Sequence, residues 1–167
     1  MAPETPSSAG SLDLPPGFAQ RIRRGSVAMS INLIVAAVIL GGGSIVEASI
    51  NLSSPGPNRS WVIYFGVLPA LLMVVLALHM LRVRGCLDGD RLELDKVEQL
   101  RPGLRMWWIA VVVSALVVIV LILVLDFLAH TNSSGSAIIG ALPPFLTAVV
   151  ANTSYGTSKS WLNPKLD

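Results

Sequence analysis

Four apolar runs, separated by short polar stretches, organise this chain. They cover residues 27–50, 61–81, 107–130 and 137–151. The first three have the roughly 20 apolar residues that an α-helix needs to cross about 30 Å of hydrocarbon. The fourth is shorter and carries Pro143 and Pro144. Between the runs lie the turn-rich "NLSSPGPNRS" at 51–60, a charged segment at 82–106 and the polar turn "TNSSGS" at 131–136. A backbone inside lipid must satisfy its own polar groups, so the runs are predicted as helices. The expected fold is all-α: an integral membrane bundle of four transmembrane helices.

The flanking segments divide the rest of the chain. Residues 1–25 begin "MAPETPSSAGSLDLPPGFAQ", rich in Pro, Ser and Gly without periodic apolar spacing, and end in a basic cluster; they are predicted to be a flexible tail. The transmembrane domain is assigned to 26–155 and a C-terminal tail to 156–167. Trp61 and Tyr64 open the second run, and Trp107 and Trp108 the third, where interfacial aromatics are expected. Pro69 should kink the second helix. In the connector, Leu94, Val97, Leu100 and Leu104 fall at helical spacing, with Glu93–Lys96 and Glu98–Arg101 as supporting pairs. A short amphipathic helix ended by Pro102 is predicted there, lying on headgroups or docking a partner.

Composition agrees with this reading. The 167 residues are 53% hydrophobic and only 13% charged, and the mean hydropathy is +0.67; soluble domains carry about 25% charged residues. The placement of charge sets an orientation. Three cations (Arg21, Arg23, Arg24) precede the first run, six (Arg82, Arg84, Arg91, Lys96, Arg101, Arg105) lie in 82–106, and two (Lys159, Lys165) follow the fourth run. Only Arg59 lies in the other loops. With four spans, eleven of the 12 cations fall on one side, which predicts cytoplasmic termini and a cytoplasmic connector. A net charge of +2, patterned in this way, gives no reason to expect nucleic acid. One cysteine, Cys86, excludes an internal disulfide, a CxxC redox pair and a cysteine-based zinc site within one chain. The first twenty residues lack Lys and Arg, and the apolar run after them is too long for a signal sequence, so no removable leader is expected.

One constellation invites a chemical reading. "LVLDFLAH", residues 123–130, places Asp126 and His130 a helical turn apart near the end of the third run. Asp126 lies about 28 Å of helical rise beyond Trp107, close to the outer boundary. Glu47 approaches the same boundary from the first run. Together Glu47, Asp126 and His130 form a candidate proton or cation site, with desolvation and mutual charge shifting their protonation. The plainer alternative has all three reaching headgroups and water.

Other features have structural readings. Ala37, Gly41, Ser44 and Ala48 make a face of small residues suited to close helix packing in lipid. "GGSIV" lacks the final glycine of a nucleophile elbow, since Val46 stands there. His79 and His130 lie at opposite boundaries, which excludes bis-histidine haem ligation within one chain. Pro143 and Pro144 either break the fourth helix, as in transporters with discontinuous helices, or simply bend it. "DGD" at 88–90 departs from a calcium loop at Leu92 and Glu93. Cys86, next to a run end, is a candidate for lipidation. Asn51, Asn58, Asn132 and Asn152 begin glycosylation sequons too close to the membrane, or on the wrong side of it, for modification to be expected.

In span number, orientation and loop lengths the layout is similar to that of MARVEL-type and related four-span membrane-organising proteins. The likeness is architectural, and the functional reading comes from the residues: a small-residue helix face and a connector suited to docking. No complete catalytic set is evident, no cofactor is expected, and the partners indicated are lipid and other membrane-protein subunits or a second copy of the chain. The leading expectation is therefore a scaffold or accessory subunit acting through helix–helix contacts. The alternative is a small proton or cation transporter, or a channel component, using Glu47, Asp126 and His130.

Overall fold

Apolar runs fold into helices readily, but what fixes their length is the continuity of a buried face. The computed structural model describes residues 10–52, 66–128 and 134–162. In chain order these form β1 (Ser11–Asp13), α1 (Phe18–Leu52), α2 (Val67–Arg82), a 3₁₀ turn (Val83–Cys86), β2 (Leu87–Asp88), β3 (Arg91–Glu93), α3 (Leu94–Leu128) and α4 (Ser134–Trp161). Among the described residues the protein is thus helical, with four helices and one small sheet. Three segments, Phe18–Val46, Val67–Cys86 and Leu94–Leu125, are long and apolar enough to cross a membrane.

The helices run alternately away from and toward the sheet. α1 packs on α2, α2 on α3, α3 on α4, and α4 back on α1, which leaves α1 and α3 as the distant diagonal. The buried line along α1 reads Ala19, Ile22, Ser26, Ser30, Leu33, Ala37, Gly41, Ser44, recurring every three or four residues as one helix face requires. That face begins well before the apolar run. It explains why α1 extends through Arg21–Arg24: the arginines are exposed, while Ala19 and Ile22 between and before them are buried.

The N-terminal segment departs from the expected flexible tail. Leu12 and Leu14 alternate with polar residues, and Leu14 is buried in the core. β1 pairs antiparallel with β3, Leu12 opposite Leu92, and β3 pairs with β2, Leu87 opposite Leu92. The Leu14 amide donates to the Asp90 carbonyl at 2.9 Å, and the Leu94 amide to the Gly10 carbonyl at 2.7 Å. Gly17, at φ +78°, supplies the left-handed turn that leads into α1. β2 and β3 form a two-residue hairpin through Gly89, at φ +58°, and Asp90. "DGD" is therefore a hairpin turn. The sheet caps the bundle end, its buried Leu87 and Leu92 joining Ile22, Met80, Val83 and Val97 in one apolar core.

Three prolines expected to end, break or bend helices leave them continuous. Pro102 lies inside α3, so the connector helix and the third span are one helix of 35 residues. Val97 and Leu104, buried on either side of the exposed Pro102, hold both halves against the bundle. α4 likewise continues through Pro143 and Pro144, and ends at Trp161, beyond the expected 137–151. Pro69 occupies the first turn of α2, where no intrahelical N–H bond is needed. Residues 61–65 of the expected second span lie outside the described residues.

Candidate functional site

The candidate ion site occupies the bundle end remote from the sheet. Glu47 lies five residues before the end of α1 and Asp126 two before the end of α3. These are the two diagonal helices, so convergence of the carboxylates would require both to reach across the bundle interior. The side chains of Glu47 and Asp126, and the whole of His130, lie outside the described residues.

The small-residue face is where α1 meets α2. Ala37, Gly41 and Ser44 are buried. A Cβ placed on Gly41 would stand only 3.1 Å from the Ala70 Cβ. Three turns further along the same face, the Ser30 hydroxyl lies 2.8 Å from the Ser26 carbonyl and 3.0 Å from the Ala77 carbonyl of α2. It thereby ties the two helices with a buried polar contact. The side chain of Ala48 lies outside the described residues. Cys86 is 3% exposed, its thiol directed toward the Arg82 carbonyl at 4.0 Å. Acylation needs an accessible thiolate, which this burial opposes. At the proline pair, the Thr147 hydroxyl donates to the Pro143 carbonyl at 2.9 Å, one polar contact within the continuous helix.

At the sheet end the chain assembles a second, more complete arrangement. An aromatic layer comes first. Trp108 of α3 stacks on Tyr155 of α4, with ring centres 4.6 Å apart and planes 12° from parallel. Trp107 packs against His79 of α2 at 5.7 Å. The His79 Nδ1 lies 3.1 Å from the Val75 carbonyl, so that nitrogen carries the ring proton. Trp161, the last residue of α4, covers Gly25 so closely that a Cβ there would meet the indole at 2.7 Å.

Beyond the aromatics lies a belt of exposed cations: Arg21, Arg23, Arg24, Arg82, Arg84, Arg91, Lys96, Arg101, Arg105 and Lys159. Some are committed. Arg91 pairs with Asp13 at 2.8 Å, Lys96 with Glu93 at 2.8 Å, and Arg23 donates to the Gly89 carbonyl at 3.1 Å. Arg101 donates to the Leu162 carbonyl at 3.1 Å, just past the C-terminus of α4. Here the facing ends of α3 and α4 enclose a cavity of about 100 Å³ lined by Arg101, Leu104, Tyr155, Ser158, Lys159 and Leu162. The positive-charge count locates these cations at one end, but the convergence of Arg101 and Lys159 depends on the pairing of α3 with α4.

Among the described residues no three His, Cys, Asp or Glu side chains cluster as metal ligands would. No protein-family model, curated protein or solved structure matches the chain.

Proposed function

We propose that this protein is a four-span membrane protein that acts as a scaffold or accessory subunit of a membrane complex through helix–helix contacts. The termini and the small sheet face the cytoplasm in this reading. The observation that carries it is the surface of α3. Its most apolar window has a mean hydropathy of 3.3, yet only 17% of that window is buried inside the chain. Val113, Leu116, Val117, Val120, Leu123 and Phe127 are all largely exposed. An apolar stripe of that length needs lipid or another helix around it.

The gathering of exposed cations at the sheet end supports the orientation, since positively charged loops stay in the cytoplasm. The apolar first half of α4 serves as the fourth span, while its polar second half, from Asn152 to Ser160, emerges beside the sheet. Along α1 small and hydroxylated residues supply much of the internal contact, while Ile31, Val35, Val38 and Ile39 point outward toward partner helices or lipid.

Two measurements test this. Isolation in a mild detergent, with mass determination, should yield an oligomer or a complex with other membrane proteins; a stable monomer with nothing bound would overturn the subunit reading. In a Cys86→Ser background, Ser60→Cys should react in intact cells with a membrane-impermeant maleimide and Ser7→Cys should not. The opposite pattern would overturn the orientation.

A further inference from the structure

We infer that the cavity between the ends of α3 and α4 binds the phosphate of an anionic phospholipid from the cytoplasmic leaflet. The inference rests on the orientation proposed above for its choice of leaflet. Its chemistry rests on the cavity itself.

Among the described residues two cations line this cavity and no carboxylate does. Neither Arg101 nor Lys159 forms an ion pair among the described residues. One guanidinium N–H of Arg101 is held by the Leu162 carbonyl, which restrains the group at the cavity. A guanidinium has five N–H donors, so the remaining ones are pre-oriented for an oxyanion without further loss of side-chain freedom. Lys159 makes no hydrogen bond among the described residues and keeps all three of its donors. Ser158 is buried and gives its proton to the Tyr155 carbonyl at 2.8 Å, so the donors available to a ligand come from the two cations. The C-terminus of α4 opposes an anion with a partial charge of about −0.5, which two full positive charges outweigh.

Depth selects a lipid over a soluble anion. Arg101 precedes Trp107 by six residues, about 9 Å of helix. The cavity therefore opens at headgroup level, just outside the layer formed by Trp107, Trp108 and Tyr155. Its floor, Leu104 and Leu162, is apolar and buried. Below it the outward faces of α3 and α4 carry exposed Ile109 and Val149, along which acyl chains can lie. A phosphodiester at the cations with its chains on this surface satisfies both halves of the site.

The test uses the full chain in a mild non-ionic detergent, mixed with equal amounts of phosphatidylglycerol and phosphatidylcholine. Retained lipids are counted by native mass spectrometry. The wild type should retain phosphatidylglycerol preferentially. Replacing both cations, Arg101→Gln with Lys159→Gln, should weaken that retention about fivefold per cation, on the order of 25-fold for the pair. Arg82→Gln with Arg84→Gln, outside the cavity, should leave it unchanged. Lys159→Gln alone removes no hydrogen bond seen in the fold, so its about fivefold loss can be read even where the Arg101 variant unfolds. Equal retention in the wild type and Lys159→Gln would overturn the site. Displacement of phosphatidylglycerol by inorganic phosphate at equal concentration would assign the cavity to a soluble anion and overturn the lipid. The detergent assay is blind to sidedness. Reversed maleimide labelling with intact phosphatidylglycerol preference would thus overturn the leaflet alone, and correct labelling without preference would overturn the lipid site alone.

Discussion

The contact of Gly41 with Ala70 gives the sharpest test of how α1 and α2 are held together. A Cβ at position 41 would lie 3.1 Å from the Ala70 Cβ, whereas apolar carbons rest at about 3.5–4.0 Å. Gly41→Ala must therefore push the helices apart by roughly half an ångström or distort them locally. Overpacking of this kind costs about 1–3 kcal/mol. Replacing glycine by alanine within a helix returns up to about 1 kcal/mol in aqueous hosts. The net expectation for Gly41→Ala is a loss of about 1 kcal/mol, and for Gly41→Val, with two further methyl groups, about 3 kcal/mol. Gly43 provides the control: it is exposed, and a Cβ there meets nothing within 4 Å. Gly43→Val carries the same β-branch penalty without the collision and should change stability by under about 0.5 kcal/mol. Ala70→Gly should rescue Gly41→Ala, with a coupling energy of about 1 kcal/mol. The assay is unfolding by sodium dodecyl sulfate in mixed micelles, followed by tryptophan fluorescence. Equal midpoints for Gly41→Val and Gly43→Val would refute the close approach of the helices, and additivity with Ala70→Gly would refute the specific contact.

Three further outcomes follow from the packing. Gly25→Ala places a methyl group 2.7 Å from the indole of Trp161, so the ring must swing away; Trp161 fluorescence, read in a variant with the other tryptophans replaced by Phe, should shift toward that of a water-exposed indole. An unchanged spectrum would remove α4 from its position over α1. Ser30→Ala removes a buried hydroxyl shared between α1 and α2 and should destabilise by about 0.6 kcal/mol, the usual size of such a contact in membrane bundles; a loss above about 2 kcal/mol would show that more than this bond depends on it. Cys86 should react with a small maleimide at least tenfold more slowly in the folded protein than after full denaturation, because only rare opening exposes a thiol that is 3% accessible. Equal rates would place Cys86 at the surface and restore it as an acylation candidate.

Hydropathy located the helices well and their ends poorly, for a physical reason. An apolar run marks where a helix could meet lipid. It does not mark where backbone hydrogen bonding stops. α1 begins at Phe18 because Ala19 and Ile22 extend its buried face below the apolar run. α3 begins at Leu94 because Val97 and Leu104 do the same. The amphipathic spacing of the connector was legible, whereas its fusion with the third span depended on packing around Pro102. The sheet was legible in principle. "LDGDRL" holds a two-residue Gly-Asp turn between two leucine-bearing strands, a short-range hairpin signal, and "SLDL" supplies the alternating partner strand. Of the cavity, the cations could be read from the sequence but their meeting could not, since Arg101 and Lys159 belong to different helices.

Pro143 and Pro144 show how far local chemistry can be overridden. Each lacks a backbone donor, and their rings press on the preceding turn, at a cost of about 3 kcal/mol for a proline inside a helix in isolation. α4 nevertheless continues for nine residues before them and for 17 after Pro144. The carbonyl of Pro143 is engaged by Thr147, and the segment beyond is fixed by three contacts with its neighbours: buried Ala151, the stack of Tyr155 on Trp108, and Trp161 on Gly25. These contacts lie downstream of the prolines and hold the second half of α4 against α3 and α1. A helix anchored so firmly past its weak point can tolerate a bend without separating into two pieces. A bend at these prolines would set the angle at which the polar half of α4 brings Ser158, Lys159 and Leu162 to Arg101. Replacing both by alanine should straighten the helix and alter the cavity before it alters the stability of the bundle, so retention of phosphatidylglycerol should fall while the unfolding midpoint holds or rises. A fall in both would show that the prolines serve the core instead.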